Sequence, residues 1–228
     1  MHHTTTGDQP DVGVQVTVGG QVNVGDQTAT RYQAIAHRWR VVDIIVASVL
    51  GVAIGLLFVF WNGVGYGWFA ALDAVTPGYG GLATGIWLIG GVVGGLIIRK
   101  PGAALYVEFL AALVSTAVGN QWGVATLASG LTQGLGAELV FLLFGYRRCG
   151  LIVGLLAGAA AGASAWVGEL FLTPNWPKSA DFLMTYLVTL SISGTVLAGW
   201  LGWFLVRALA STGVLARFAV GRSVSARI

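Results

Sequence analysis

Charge is what this chain most lacks. Asp, Glu, Lys and Arg make up 9% of its 228 residues and hydrophobic residues 56%, where about 25% charged is usual, so a soluble globule could not cover itself with polar surface. The composition is that of an integral membrane protein. Histidine is missing where it would matter, because His2, His3 and His37 all precede the first long apolar run. That leaves no intramembrane metal ligand or general base of this type. A single cysteine, Cys149, excludes an internal disulfide and a cysteine metal cluster. Neither a G-x-S-x-G elbow nor a G-x-x-x-x-G-K-S/T phosphate loop occurs, so no enzyme activity, ATP hydrolysis, cofactor or metal is expected of the chain itself. The formal charge of +3 does not mark a nucleic-acid binder, since the basic residues stand at the ends of apolar runs, where they report topology.

Glycine, by contrast, is abundant at 35 residues, about twice the usual ~7%, and small residues let helices approach closely in lipid. Long apolar runs without strict alternation predict an all-α bundle and exclude a β-barrel. Six transmembrane helices are expected: Val41 to Phe60, Leu82 to Ile98, Ala103 to Val118, Trp122 to Phe144, Leu151 to Leu172 and Phe182 to Val206. Residues 61–80 read as a loop with one interfacial helical turn. With six spans, Arg31, Arg38, Arg40, Arg99, Lys100, Arg147, Arg148, Arg207, Arg217, Arg222 and Arg227 share one face and Lys178 lies on the other. The positive-inside rule then makes both termini cytoplasmic in a multi-pass protein of the cell membrane. Three regions follow: a polar Val-rich arm over 1–34, a transmembrane domain over 35–210 and a basic tail over 211–228. The arm reads as a flexible tail or as a hairpin turning at Gly19-Gly20-Gln21, with no signal peptide before it.

Polar and aromatic residues gather toward the outer ends of these spans. Trp122, Thr126, Ser129 and Gln133 fall within about 60° of one another around a helix. Trp166 with Glu169, and Tyr186 with Thr189, are three apart on the next two spans, and Trp61, Asn62, Trp87, Asn120 and Gln121 complete a candidate outer cup. The competing reading is an aromatic belt at the membrane interface. Acidic residues within spans need a reason, at about 2.5–3.5 kcal/mol each. Glu169 has the depth of the cup. Glu108 and Glu138 lie lower, as ligands or structural groups, and Glu138 points about 160° away from the Trp122 to Gln133 stripe. On the first span, Ala47, Gly51 and Gly55 recur every fourth residue and form a smooth strip, for docking a partner helix or for packing within the bundle.

Arg38-Trp-Arg-Val-Val-Asp43, Arg99-Lys-Pro-Gly-Ala103, Glu108, Gly119-Asn-Gln-Trp-Gly123 and Gln133-Gly-Leu-Gly-Ala-Glu138 resemble the YkoE group, membrane substrate-binding (S) components of energy-coupling factor (ECF) transporters. The resemblance implies a six-helix S-component bundle that captures thiamine or its hydroxymethylpyrimidine precursor from outside. It also implies delivery through a transmembrane coupling protein driven by two ATPase subunits, with toppling of the S component in the membrane. The group's docking positions, usually alanines, would here be Ala47, Gly51 and Gly55. An aminopyrimidine suits carboxylate or amide partners and flat aromatic faces. Glu169, Gln133 and Asn120 are therefore the expected polar contacts and Trp61, Trp122, Trp166 and Tyr186 the stacking ones, under two outer loops acting as lids. Glu108 and Glu138 are the rival ligands. The alternatives are an ATPase-independent transporter with Glu108 and Glu138 as a relay, and a membrane scaffold without a small ligand.

Overall fold

The segment Ile89–Ile98 reads Ile-Gly-Gly-Val-Val-Gly-Gly-Leu-Ile-Ile and has no polar face, and a helix apolar all round belongs in a core. In the computed structural model, which describes residues 38–218 and residue 221, every residue of this segment is buried. The arm expected over 1–34 lies outside the described residues, which form helices and turns with no strand. In order these are α1 (Val41–Val75), a 3-10 segment (Tyr79–Leu88) leading into α2 (Ile89–Ile98), α3 (Ala103–Val118), α4 (Ala125–Leu143) and α5 (Leu151–Leu172). The last rod is α6 (Ala180–Ser193), which passes through a π-helical stretch (Gly194–Trp200) into α7 (Leu201–Ser211). Five of these rods are long and apolar enough to cross a bilayer, while α3 is apolar but shorter.

Glycine sets how closely the helices meet. A methyl group on Gly95 would lie 2.1 Å from the Phe141 ring, so α4 rests directly on the backbone of α2. One on Gly158 of α5 would lie 2.1 Å from the Gly194 carbonyl oxygen at the start of the π-helical stretch. The small-residue strip on α1 is used in the same way. Ala47 is fully buried, and added methyls on Gly51 and Gly55 would strike Leu110 and Val114 of α3 at 2.8 and 2.6 Å. Of the two readings of the Ala47, Gly51 and Gly55 strip, these contacts support packing within the bundle, since Gly51 and Gly55 meet the protein's own α3.

Three boundaries also differ from expectation. The loop foreseen from residue 61 does not begin until Thr76, because α1 runs on for 35 residues, ~52 Å at 1.5 Å per residue. Gly63, Gly65 and Gly67 weaken this stretch by about 1 kcal/mol each, but its Asn62, Tyr66, Phe69 and Asp73 share a face and acquire tertiary contacts that outweigh the loss. The second span begins earlier, as a 3-10 segment held by Thr189 Oγ1 donating to Gly78 O (2.7 Å) and Ser193 Oγ donating to Leu82 O (2.7 Å). With the longer 3-10 rise, Tyr79–Ile98 reaches ~35 Å. The fourth span begins later, at Ala125, because Asn120 Oδ1 accepts from the N–H groups of Trp122 and Gly123 (both 2.9 Å) and folds the chain into a turn there.

At the opposite end, Asp43 is the hub. It accepts from Arg40 N at 2.7 Å, from the Arg40 guanidinium and from Lys100 Nζ, tying the start of α1 to the α2–α3 turn. Trp39 Nε1 donates to Pro101 O in the same turn (2.9 Å). In the expected basic tail, Leu215 and Phe218 are buried against the core rather than solvated or resting on lipid.

Candidate functional site

Successive helical faces converge on one cavity of about 390 Å³ at the end of the bundle remote from Asp43. Each wall is built on residues three or four apart. From α1 come Phe58, Asn62, Tyr66, Phe69 and Asp73; from α4 Ser129, Gly130 and Gln133; from α5 Ala165, Glu169 and Leu172; from α6 Phe182, Tyr186 and Leu190. That spacing is the signature of one helix face. The turn carrying Trp122 and the α5–α6 loop with Pro174, Asn175 and Lys178 complete the rim.

Six rings run along the walls as a chain of contacts. Phe182 stacks on Tyr186 (5.7 Å between centres, 23°), Tyr186 meets Phe69 edge-on (6.3 Å), and Phe69 stacks on Tyr66 (6.1 Å, 7°). Tyr66 meets Trp122 edge-on (5.6 Å), and Trp122 meets Trp87 edge-on (5.5 Å). Offset-stacked and edge-to-face pairs of this kind are the favoured aromatic geometries. The arrangement supplies flat faces in two orientations for a planar guest.

The polar groups are individually fixed. Tyr186 OH donates to Glu169 Oε2 (2.6 Å). Asn62 Oδ1 accepts from Trp87 Nε1 (2.9 Å) and its Nδ2 donates to Ser115 Oγ (3.0 Å). The Gln133 amide oxygen accepts from Ser129 Oγ (2.7 Å), and its nitrogen donates to Trp87 O (3.0 Å) and to Glu108 Oε1 (3.1 Å). Asp73 Oδ1 accepts from Gly78 N (2.7 Å), which closes the end of α1. Among the described residues no group of three or more His, Cys, Asp or Glu is placed to hold a metal ion.

Of the residues singled out from sequence, Asn62, Trp87, Trp122, Thr126, Ser129, Gln133, Glu169 and Tyr186 line the cavity. The others do not, and all but Gln121 have a structural use. Trp61 Nε1 donates to Ala83 O (3.0 Å), pinning α1 to the 3-10 segment, and Trp166 Nε1 donates to Leu183 O (3.0 Å), pinning α5 to α6. Asn120 shapes the Trp122 turn and also accepts from Thr126 Oγ1 (3.0 Å), while Gln121 is exposed on that turn.

The two rival carboxylates are likewise engaged. Glu108 is fully buried and accepts from Gly91 N (2.6 Å), just past the point where the 3-10 segment becomes α-helical. Glu138 accepts from the N–H groups of Gly102 (2.6 Å), Ala104 (2.9 Å) and Leu105 (3.3 Å), so it caps the N-terminus of α3, where backbone donors otherwise lack partners and negative charge is favoured. Tyr146 OH adds a fourth bond to Glu138 (2.6 Å). Burial, and then the Glu138 carboxylate, push the Tyr146 hydroxyl well above its ordinary pKa, so it remains a donor.

Sequence reasoning missed Tyr66, Phe69, Asp73, Asn175, Lys178 and Phe182, all of which line the cavity. The signal for three of them was present. Continuing the helical period from Asn62 reaches Tyr66, Phe69 and Asp73, had the glycines between them not been read as a loop.

Comparison with known proteins accords with this architecture. Residues 42–164 match the family described as "ABC-type cobalt transport system, permease component". The chain is 38% identical over 189 residues to the Bacillus subtilis (strain 168) protein named "Putative HMP/thiamine permease protein YkoE", covering 82% of this chain and 92% of that one. It also superposes on a solved structure, "Crystal structure of an S-component of ECF transporter", with a TM-score of 0.71 and 33% identity, covering 83% of this chain and 95% of the other. An all-helical bundle enclosing an aromatic cavity, together with these similarities, places the chain in the YkoE family of membrane substrate-binding (S) components of ECF transporters.

Proposed function

We propose that the protein captures thiamine or its hydroxymethylpyrimidine precursor from outside the cell membrane and passes it inward through a separate coupling protein driven by two ATPase subunits. The observation that carries this reading is the cavity itself, in which the Glu169 carboxylate and six contacting aromatic rings surround about 390 Å³. Pockets of ~300–1,000 Å³ suit small molecules. An aminopyrimidine donates from its exocyclic amine to a carboxylate and stacks its ring on Trp or Tyr, and Glu169 with Tyr186, Trp87 and Trp122 offers both. The YkoE relative's name points to the same ligands. A six-span topology with α3 as the short span, both termini cytoplasmic and the cavity facing outward, agrees with basic residues at the Asp43 end. Glu108 and Glu138 give no support to a stand-alone proton relay, since the helix-end contacts described above occupy both.

Calorimetric titration of the detergent-purified protein with thiamine and with hydroxymethylpyrimidine tests the reading. Saturable binding is expected, weakened about 10- to 100-fold in Glu169→Gln, the range for losing a hydrogen bond to a charged group. Folded wild-type protein that binds neither compound would overturn it.

A further inference from the structure

Asp73, Glu169 and Lys178 are the charged side chains of the cavity wall. Both acids are engaged, Asp73 by Gly78 N and Glu169 by Tyr186 OH. Lys178 is in neither of the ion pairs among the described residues, Arg40–Asp43 and Lys100–Asp43, though its charge reaches the Glu169 carboxylate through space. Instead the Lys178 ammonium lies 4.0 Å from the centre of the Phe182 ring.

The position is not one a helix would favour. Lys178 directly precedes Ser179, the N-cap of α6, where the positive end of the helix dipole repels a cation. It is held there by its loop. Pro174 and Pro177 restrict the backbone, Asn175 is buried, and Lys178 N donates to Asn175 O (3.0 Å). The ring beneath it is well placed for positive charge, because Phe182 stacks on Tyr186, whose hydroxyl reaches the Glu169 carboxylate. A cation over an aromatic face is attracted by the ring quadrupole. A flat organic cation entering the cavity would meet the same attraction and find an ammonium already there.

We infer that the face of Phe182 beneath the Lys178 ammonium is the cation subsite of this cavity, and that Lys178 competes for it with a ligand's positive charge and thereby sets the preference between cationic and neutral ligands. The inference rests on the proposed vitamin-binding function and deepens it. Thiamine, with a cationic thiazolium, and hydroxymethylpyrimidine, which is neutral, are the natural pair of probes. Relieving the competition should favour only the first.

The experiment is calorimetric titration of both compounds into wild type, Lys178→Met and Phe182→Leu at two salt concentrations. Lys178→Met is expected to tighten thiamine binding about 3- to 10-fold while hydroxymethylpyrimidine stays within about 2-fold, and Phe182→Leu to weaken thiamine selectively. Lys178 is exposed in a loop, so its substitution tests the subsite without threatening the fold. If Lys178→Met weakens thiamine, or moves both ligands alike, the lysine is a direct contact or a lid element and the inference falls while the function stands. A wild type that binds neither compound overturns both together.

Discussion

At the scale of single residues, neighbours with similar chemistry have been given different tasks. Tyr186 and Trp166 are both aromatic donors near the cavity, yet Tyr186 OH reaches Glu169 inside it while Trp166 Nε1 is spent on the Leu183 carbonyl. Tyr186→Phe keeps the ring stack and removes one donor from the carboxylate, so titration should show vitamin affinity falling by about 3- to 10-fold, roughly 1 kcal/mol. Trp166→Phe should lower thermal stability by about 1 kcal/mol and leave the affinity of the folded protein unchanged. A large affinity loss in Trp166→Phe would mean that the indole itself meets the ligand. Asp43 shows how much can depend on one carboxylate, since it serves both the Arg40 cap and the nearly buried Lys100.

At the scale of elements, glycine has two opposite roles within α1. Gly55 is a contact, where an added methyl would lie 2.6 Å from Val114, whereas Gly63 faces open space with nothing within 4 Å. Gly55→Ala should therefore separate α1 from α3 and destabilise the fold by about 1–3 kcal/mol. Gly63→Ala should stabilise it by up to about 1 kcal/mol through helix propensity. Thermal unfolding in detergent distinguishes the two, and a destabilised Gly63→Ala would contradict the continuous α1. The cap on α3 is tested similarly. Glu138→Ala leaves the N–H groups of Gly102, Ala104 and Leu105 without their shared acceptor, a loss of about 1–3 kcal/mol, seen as a lower unfolding temperature rather than as weaker binding per folded molecule.

At the scale of the whole molecule, the charge asymmetry predicts orientation. In a Cys149→Ala background, Lys178→Cys should react with an impermeant maleimide added outside intact cells, and Arg148→Cys only in inverted vesicles. The reverse pattern would turn the protein over. The native thiol is a poor reporter by comparison. Cys149 sits outside the helices, and burial raises its pKa despite the opposing charge of Arg99, so less of it is thiolate at neutral pH. Its labelling in wild type should be slow near pH 7 and accelerate as the pH rises toward and beyond its ordinary range.

The sequence by itself determined that the chain is a helical membrane protein, because composition and run length depend on no partner. It also set the polar stripe through Thr126, Ser129 and Gln133, since periodicity along one helix is a local property, whereas Trp122 reaches the same cavity from the turn before α4. The limits of α3 and α5 were legible for the same reason. Tertiary structure alone decided what lay across from each face. Whether Ala47, Gly51 and Gly55 awaited a partner or met Leu110 and Val114 depends on where α3 packs. Whether Glu138 was a ligand or a cap depends on the N-terminus of a different helix, and whether residues 61–75 were loop or helix depends on aromatic contacts with residues far away in the chain. Local propensity counts the glycines in that last stretch. Only the assembled bundle supplies the rings that outweigh them.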